Sequence, residues 1–195
     1  MKILLYTGYR TGSRSLGDWL SYELNIPYYH EPFNVTNPKT LEKYANFNLD
    51  TMGDGIVKIS PMDNFDFNDI KNKFDKVIVL YRENIKEQAE SFIWAKYATI
   101  YHHTFVDDKF VYAHYTIDDK FLKDKSSEIK LEMRRLYDEN EYVTSLNVGV
   151  LLSYEELYFS EIGLKKIEDY LDVKFKTKVN PIHKLRNGSI KKSLT

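Results

Sequence analysis

The chain of 195 residues has no cysteine, which excludes disulfides and thiolate metal sites and leaves a reducing compartment as the default setting. Glycine and proline are sparse, at eight and five residues. No internal repeat or low-complexity linker is found, so the length suits one domain around a single buried core. Charge of one sign is missing too. The 28 basic and 29 acidic residues nearly cancel, to a net charge of -1. Any basic site must therefore be a local patch, and nonspecific nucleic-acid binding is disfavoured. No segment approaches the ~20 apolar residues of a membrane span, and "MKILLYTGY" carries only a short apolar run. The expectation is a soluble, cytoplasmic protein without an export signal. The chain is rich in aromatics, 15% of its residues, as a packed globular protein is and a disordered one is not.

The apolar pattern alternates between two periods. "KILLY" predicts a short buried strand, and Ser13 to Leu24 sets Leu16, Leu20 and Leu24 at helical spacing. "IPYYHEPFN" predicts a second strand ending near Glu31, followed by helical potential from Pro38 to Tyr44, and "GIVKIS" predicts a third strand. In "FDKVIVLYREN" the apolar residues Val77 to Leu80 run continuously, as in a strand covered on both faces. "IKEQAESFIWAKYATI" predicts a helix. Residues 101 to 120 have no clear period and predict an irregular insert. A polar helix from Ser126 to Asn140, the strand "VGVLLSY", a helix from Glu161 to Leu171 and a basic tail complete the chain. Strands alternating with helices predict a three-layer α/β/α sandwich around a mostly parallel sheet. Ligands of such sheets bind beyond the carboxyl ends of the strands.

One turn lies there. In "YTGYRTGSRSLGDWL", Gly8 and Gly12 permit close backbone approach, Thr11, Ser13 and Ser15 carry hydroxyls, and Arg10 and Arg14 carry charge, all at the start of a predicted helix. A phosphate or sulfate suits that set. It is not the usual nucleotide loop, because counting from Gly8 puts Ser13 where the second glycine belongs and Arg14 where the lysine belongs. A magnesium nucleotide also needs an acidic ligand, usually at a strand end, but "VIVLYREN" places Arg82 after its strand. Arg82, with Ser91 further along the next helix, forms a second candidate anion contact. Two such contacts predict a ligand with two phosphate-like groups.

These segments resemble the sulfotransferases that use 3'-phosphoadenylyl sulfate (PAPS). "YRTGSRSL" is similar to their loop for the 5'-phosphosulfate, and "VIVLYRENIKEQAESFIWA" to their strand and helix for the 3'-phosphate, with Arg82 and Ser91 at the matching places. The Arg-to-Ser spacing and "QAES" look closer to bacterial carbohydrate sulfotransferases of the trehalose-sulfating type than to cytosolic phenol sulfotransferases. "LLSYEELY" resembles the family segment whose tyrosine, here Tyr154, lies near the adenine. "KLRNGSIKKS" is similar to the late segment that touches the 3'-phosphate, through Arg186 and Gly188. The resemblance covers most of the chain in order, but almost nothing between 100 and 125.

The resemblance implies a P-loop NTPase-like sulfotransferase fold and transfer of a sulfuryl group from PAPS to a hydroxyl of a carbohydrate, glycolipid or small metabolite, leaving adenosine 3',5'-bisphosphate. No metal is required in principle. Arg10 is the expected bridge between sulfonate and leaving phosphate, with Thr11, Gly12, Ser13, Arg14 and Ser15 supplying further backbone or side-chain donors at the helix start. The related carbohydrate enzymes carry a glutamate after the second strand, which makes Glu31 the candidate base and His30 its rival. The phenol enzymes use a histidine two residues after a strand lysine; here Lys58 is followed by Ser60. Lys58 is expected to add positive charge on the acceptor side. His102, His103 and His114 lack helical i,i+4 spacing for a metal site, so they are expected to line the acceptor cleft. Two alternatives stay open: a small-molecule kinase with a degenerate phosphate loop, and a non-catalytic nucleotide-binding module.

Overall fold

The computed structural model describes residues 1–34, 38–63, 65–97, 104–106, 109–111 and 119–178. Among them the chain runs β1 (Lys2–Thr7), α1 (Ser13–Leu24), β2 (Tyr28–His30), α2 (Pro38–Lys43), β3 (Gly55–Ile59), α3 (Phe67–Lys71), β4 (Lys76–Tyr81) and α4 (Ile85–Tyr97). It continues through β5 (Thr104–Val106), β6 (Lys109–Val111), α5 (Asp119–Asp124), α6 (Ser126–Ser145), β7 (Val150–Ser153), α7 (Tyr154–Phe159) and α8 (Ile162–Leu171). The described residues fall into two compact units, 1–83 with 138–178, and 84–137.

The first unit is built on a five-stranded sheet in the order β2-β3-β1-β4-β7, parallel at every pairing. Its central strands are continuously apolar and buried, over Ile3 to Tyr6 in β1 and Val77 to Leu80 in β4, because both faces are covered. Successive side chains of a strand point to opposite faces, and the core divides accordingly. Ile3, Leu5, Ile56, Ile78, Leu80 and Leu152 meet Leu16 and Leu20 of α1, Leu157 of α7, and Ile167 and Leu171 of α8. Leu4, Tyr6, Val57, Ile59, Val77 and Val79 meet Phe67 and Ile70 of α3 and Val143 of α6. Helices thus lie on both faces of the sheet, in an α/β/α sandwich.

The topology decides which strand ends are neighbours. From β1 the chain goes through α1 to β2, on one side of β1. The connection from β3 through α3 to β4 passes to the other side. β1 is therefore the point where the winding reverses, where open parallel sheets take their ligands. In register, Tyr6 pairs with Ile59, Thr7 with Leu80, His30 with Lys58 and Tyr81 with Ser153. The residues after β1, β2, β4 and β7 consequently share one edge with Lys58 near the end of β3.

Three predictions change, the first being the polar helix expected to end at Asn140, which continues to Ser145. "VGVLLSY" ends as a strand at Ser153, and Tyr154 opens α7. The reason is a capping box: Ser153 Oγ accepts from the Glu156 N–H at 3.0 Å, and Glu156 Oε2 accepts from the Ser153 N–H at 3.2 Å. The stretch predicted to be irregular contains an antiparallel pair, β5 with β6, joining Phe105 to Phe110. Each strand is a tripeptide, Thr-Phe-Val and Lys-Phe-Val, made mostly of β-formers but too short to show a period.

In the second unit, Ala89 and Ile93 of α4 are buried with Ile129 and Leu136 of α6. Ala89 and Ile93 are four apart, and Ile129 and Leu136 seven apart, so each pair lies on one face of its helix, while α4 also buries Gln88, Glu90, Trp94 and Ala95. Among the described residues no helix is long and apolar enough to cross a membrane.

Candidate anion-binding site

The loop after β1 reverses by means of two left-handed residues, Arg10 at φ 61° and Gly12 at φ 80°. A non-glycine residue in that region carries strain, and the surrounding bonds hold it there. The Thr11 hydroxyl donates to the Gly8 carbonyl at 3.1 Å and pairs with the Thr7 hydroxyl. The Gly12 carbonyl accepts from the Leu16 N–H at 3.2 Å and the Tyr158 hydroxyl at 2.7 Å. Only glycine fits at 12, because a Cβ there would lie 2.6 Å from the Tyr158 ring and 2.9 Å from the Tyr154 ring. At the loop's other glycine a Cβ would meet Glu139 Oε1 at 1.7 Å, so a side chain on Gly8 would displace the end of the Glu139 side chain.

The loop's side-chain and main-chain donors are placed differently. The Thr11 hydroxyl is spent inside the loop and the side chain is buried. Ser13 and Ser15 are buried in the first turn of α1, and the Ser15 hydroxyl interacts with Tyr158. The first turn also carries main-chain N–H groups at the positive end of a helix of 12 residues, and no side chain caps them. Arg14 is half-buried, with Nε 4.0 Å from Asp18.

Arg82 follows β4 and is buried. Its guanidinium carbon lies 4.5 Å from the centroid of the Tyr154 ring, its Nη1 donates to the Arg10 carbonyl at 3.3 Å, and its Nε is 3.8 Å from Glu155 Oε1. Burial and then the like charge of Arg82 weaken the hold of Arg10 on its proton, with Tyr154 opposing. A guanidinium stays charged at neutral pH regardless. Two cations from two strand ends therefore converge, an arrangement that a bound anion relieves. Tyr154 is buried beneath Arg82 and against Gly12, so its ring serves as a platform for that guanidinium.

On the β2 side, Glu31 takes a left-handed conformation at φ 50°, and the Asn34 N–H closes the turn on its carbonyl at 3.0 Å. The carboxylate forms an ion pair with Lys58 from the adjacent strand, accepts from Asn34 Nδ2 at 3.0 Å, and lies 4.0 Å from His30 Nε2. The other ring nitrogen of His30 is 2.9 Å from the Tyr28 hydroxyl. Glu31 and Lys58 are only 5% and 2% exposed, so neither is a surface charge. Burial pushes the Glu31 pKa up, but the charges of Lys58 and His30 and the hydrogen bonds from Lys58 and Asn34 outweigh it and hold the carboxyl down to about 2. The Lys58 ammonium also lies 5.2 Å from the centroid of the Tyr9 ring, in the opening loop.

The first unit thus brings together Arg10, Thr11, Gly12, Ser13, Arg14, Ser15, Arg82 and Tyr154 on one edge, with Glu31, His30 and Lys58 on the same edge. Ser91 is half-buried on α4, in the other unit. Arg186, Gly188, His102, His103 and His114 lie outside the described residues. Among the described residues no group of three or more histidine or acidic side chains is placed to hold a metal ion. Sequence reasoning missed Asn34, Glu139, Asn140 and Tyr158. Tyr158 had a signal, four residues after Tyr154 on one helix; Glu139 and Asn140 had none within a long polar helix. No protein-family model, curated protein or solved structure matches this chain.

Proposed function

We propose that this chain is a PAPS-dependent sulfotransferase acting on a hydroxyl of a carbohydrate, glycolipid or small metabolite. The observation that carries the reading is the pairing of Arg10 with Arg82. A left-handed loop after β1 and a buried arginine after β4 meet through the hydrogen bond of 3.3 Å from Arg82 Nη1 to the Arg10 carbonyl. That strand end commonly holds an acid in magnesium-nucleotide enzymes. A ligand with two separated phosphate-like groups fits two cations fed from two loops.

When bound, PAPS supplies an activated sulfuryl group whose bond to the 5'-phosphate oxygen breaks as a bond to the acceptor oxygen forms. Arg10 and the first N–H groups of α1 face the charge that gathers on the leaving phosphate. Arg82, backed by Tyr154, holds the other phosphate. Glu31 takes the acceptor proton on its carboxylate. For that, Lys58 must turn from Glu31 toward the sulfonate oxygens, on the side where Tyr9 already borders its ammonium.

The test is calorimetry without added metal, comparing adenosine 3',5'-bisphosphate with 5'-AMP and ATP. The bisphosphate binds most tightly, and Arg82→Ala lowers that affinity tenfold or more, about 1.4 kcal/mol. Preference for magnesium ATP, or indifference to the 3'-phosphate, overturns the reading. A second reading, a non-catalytic nucleotide-binding module, draws on the Glu31–Lys58 pair, since a carboxylate held at about 2 is a weak base. It predicts bisphosphate binding with no transfer from labelled PAPS to any acceptor in a screen of sugars and phenols.

A further inference from the structure

Beyond the last paired residue of β4, the Arg82 carbonyl leaves the sheet ladder and needs a partner of its own. Asn140 supplies it: the side-chain Nδ2 donates to that carbonyl at 2.7 Å, in a buried contact across 58 positions of sequence. Asparagine is a poor residue for the interior of a helix, because its amide competes for local backbone groups. Asn140 nevertheless sits well inside a helix of 20 residues and is itself buried. The residue before it, Glu139, packs against Gly8, where a Cβ would lie 1.7 Å from its carboxylate oxygen. One turn of α6 therefore touches the backbone of both loops. Arg82 in turn reaches the first loop through the Arg10 carbonyl.

We infer that Asn140 is a positioning residue, which fixes the Arg82 backbone and so aims the Arg82 guanidinium at a phosphate-like group of the ligand. That role rests on the reading of Arg82 as a phosphate ligand, whereas the effect of Asn140 on Arg82 itself can be measured in the free protein. Asn140→Asp keeps the shape but places a carboxylate oxygen, which cannot donate, against the carbonyl. Asn140→Ala removes the group altogether.

Both variants are compared with the wild-type chain by the nitrogen-15 signal of the Arg82 Nε–H without ligand, then by calorimetry with adenosine 3',5'-bisphosphate and 5'-AMP. An ordered, slowly exchanging Nε–H in the wild type disappears in both variants. The preference for the bisphosphate over 5'-AMP falls about tenfold, the scale of one charge-assisted hydrogen bond. An unchanged Arg82 signal in variants that keep the wild-type melting temperature overturns the inference. So does an equal fall in affinity for both nucleotides, which marks general loosening rather than aim. A wild-type chain that ignores the 3'-phosphate instead refutes the proposed function, and the Nε–H comparison still decides whether Asn140 orders Arg82.

Discussion

The buried pair of Glu31 and Lys58 makes the stability of the protein depend on pH in a way that can be calculated. The Glu31 carboxyl is held at about 2 in the fold, against an ordinary value of 4.5. A depressed carboxyl stabilises the fold fully above its unfolded value, and the contribution is lost as pH falls toward the folded one. At pH 7 the linkage is worth about 3 kcal/mol, and about 2 kcal/mol of it is gone by pH 3. The perturbation is the double variant Glu31→Gln with Lys58→Met, which replaces two charges by groups of similar size. The assay is urea unfolding followed by tryptophan fluorescence between pH 7 and pH 3. Other carboxylates titrate over the same window in both proteins, so the difference between the two slopes isolates the pair. The wild type loses about 2 kcal/mol more than the double variant between these pH values. Each single variant strands a buried charge and loses about 3–5 kcal/mol at pH 7, while the double variant loses less than either. Equal pH slopes in the wild type and the double variant, or additive losses from the two single changes, refute this account of the pair.

Gly12→Ala combines a left-handed φ with a ring contact at 2.6 Å; the conformation alone costs roughly 1–2 kcal/mol, and thermal unfolding together with bisphosphate calorimetry reads the effects on stability and on binding. Ser153→Ala removes one arm of the capping box and lowers stability by about 1 kcal/mol, measured by urea unfolding.

Much of the fold was legible because the signals are local. The helix read from Ser13 to Leu24 has those limits in the structure, since Leu16 and Leu20 recur at its period and Gly12 breaks the chain before it. The continuous run Val77 to Leu80 lies inside β4, since a strand covered on both faces needs no polar alternation. Of the short elements, β2 and α2 were legible, whereas α3, α5, α7, β5 and β6 were not. α3 rests on Phe67 and Ile70, one pair of buried residues; α7 depends on a capping box that overrides the apolar continuity of "VLLSY"; and β5 and β6 are three residues each.

The sequence by itself determined that a strand, a glycine turn and a helix follow one another between Lys2 and Leu24, and which residue types stand in that turn. It also determined that Arg82 follows the most apolar strand. Only the tertiary structure decided what each of those groups touches. Glu31 meets Lys58 because β2 lies beside β3. Arg82 meets the Arg10 carbonyl because β4 lies beside β1. Tyr158 closes on Gly12 across 146 positions, and Asn140 on Arg82 across 58. The physical reason is one of range. Hydrophobic period and turn chemistry act over a few residues and can be read along the chain, whereas the charge and hydrogen-bond partners of a buried group are set by strand order and register.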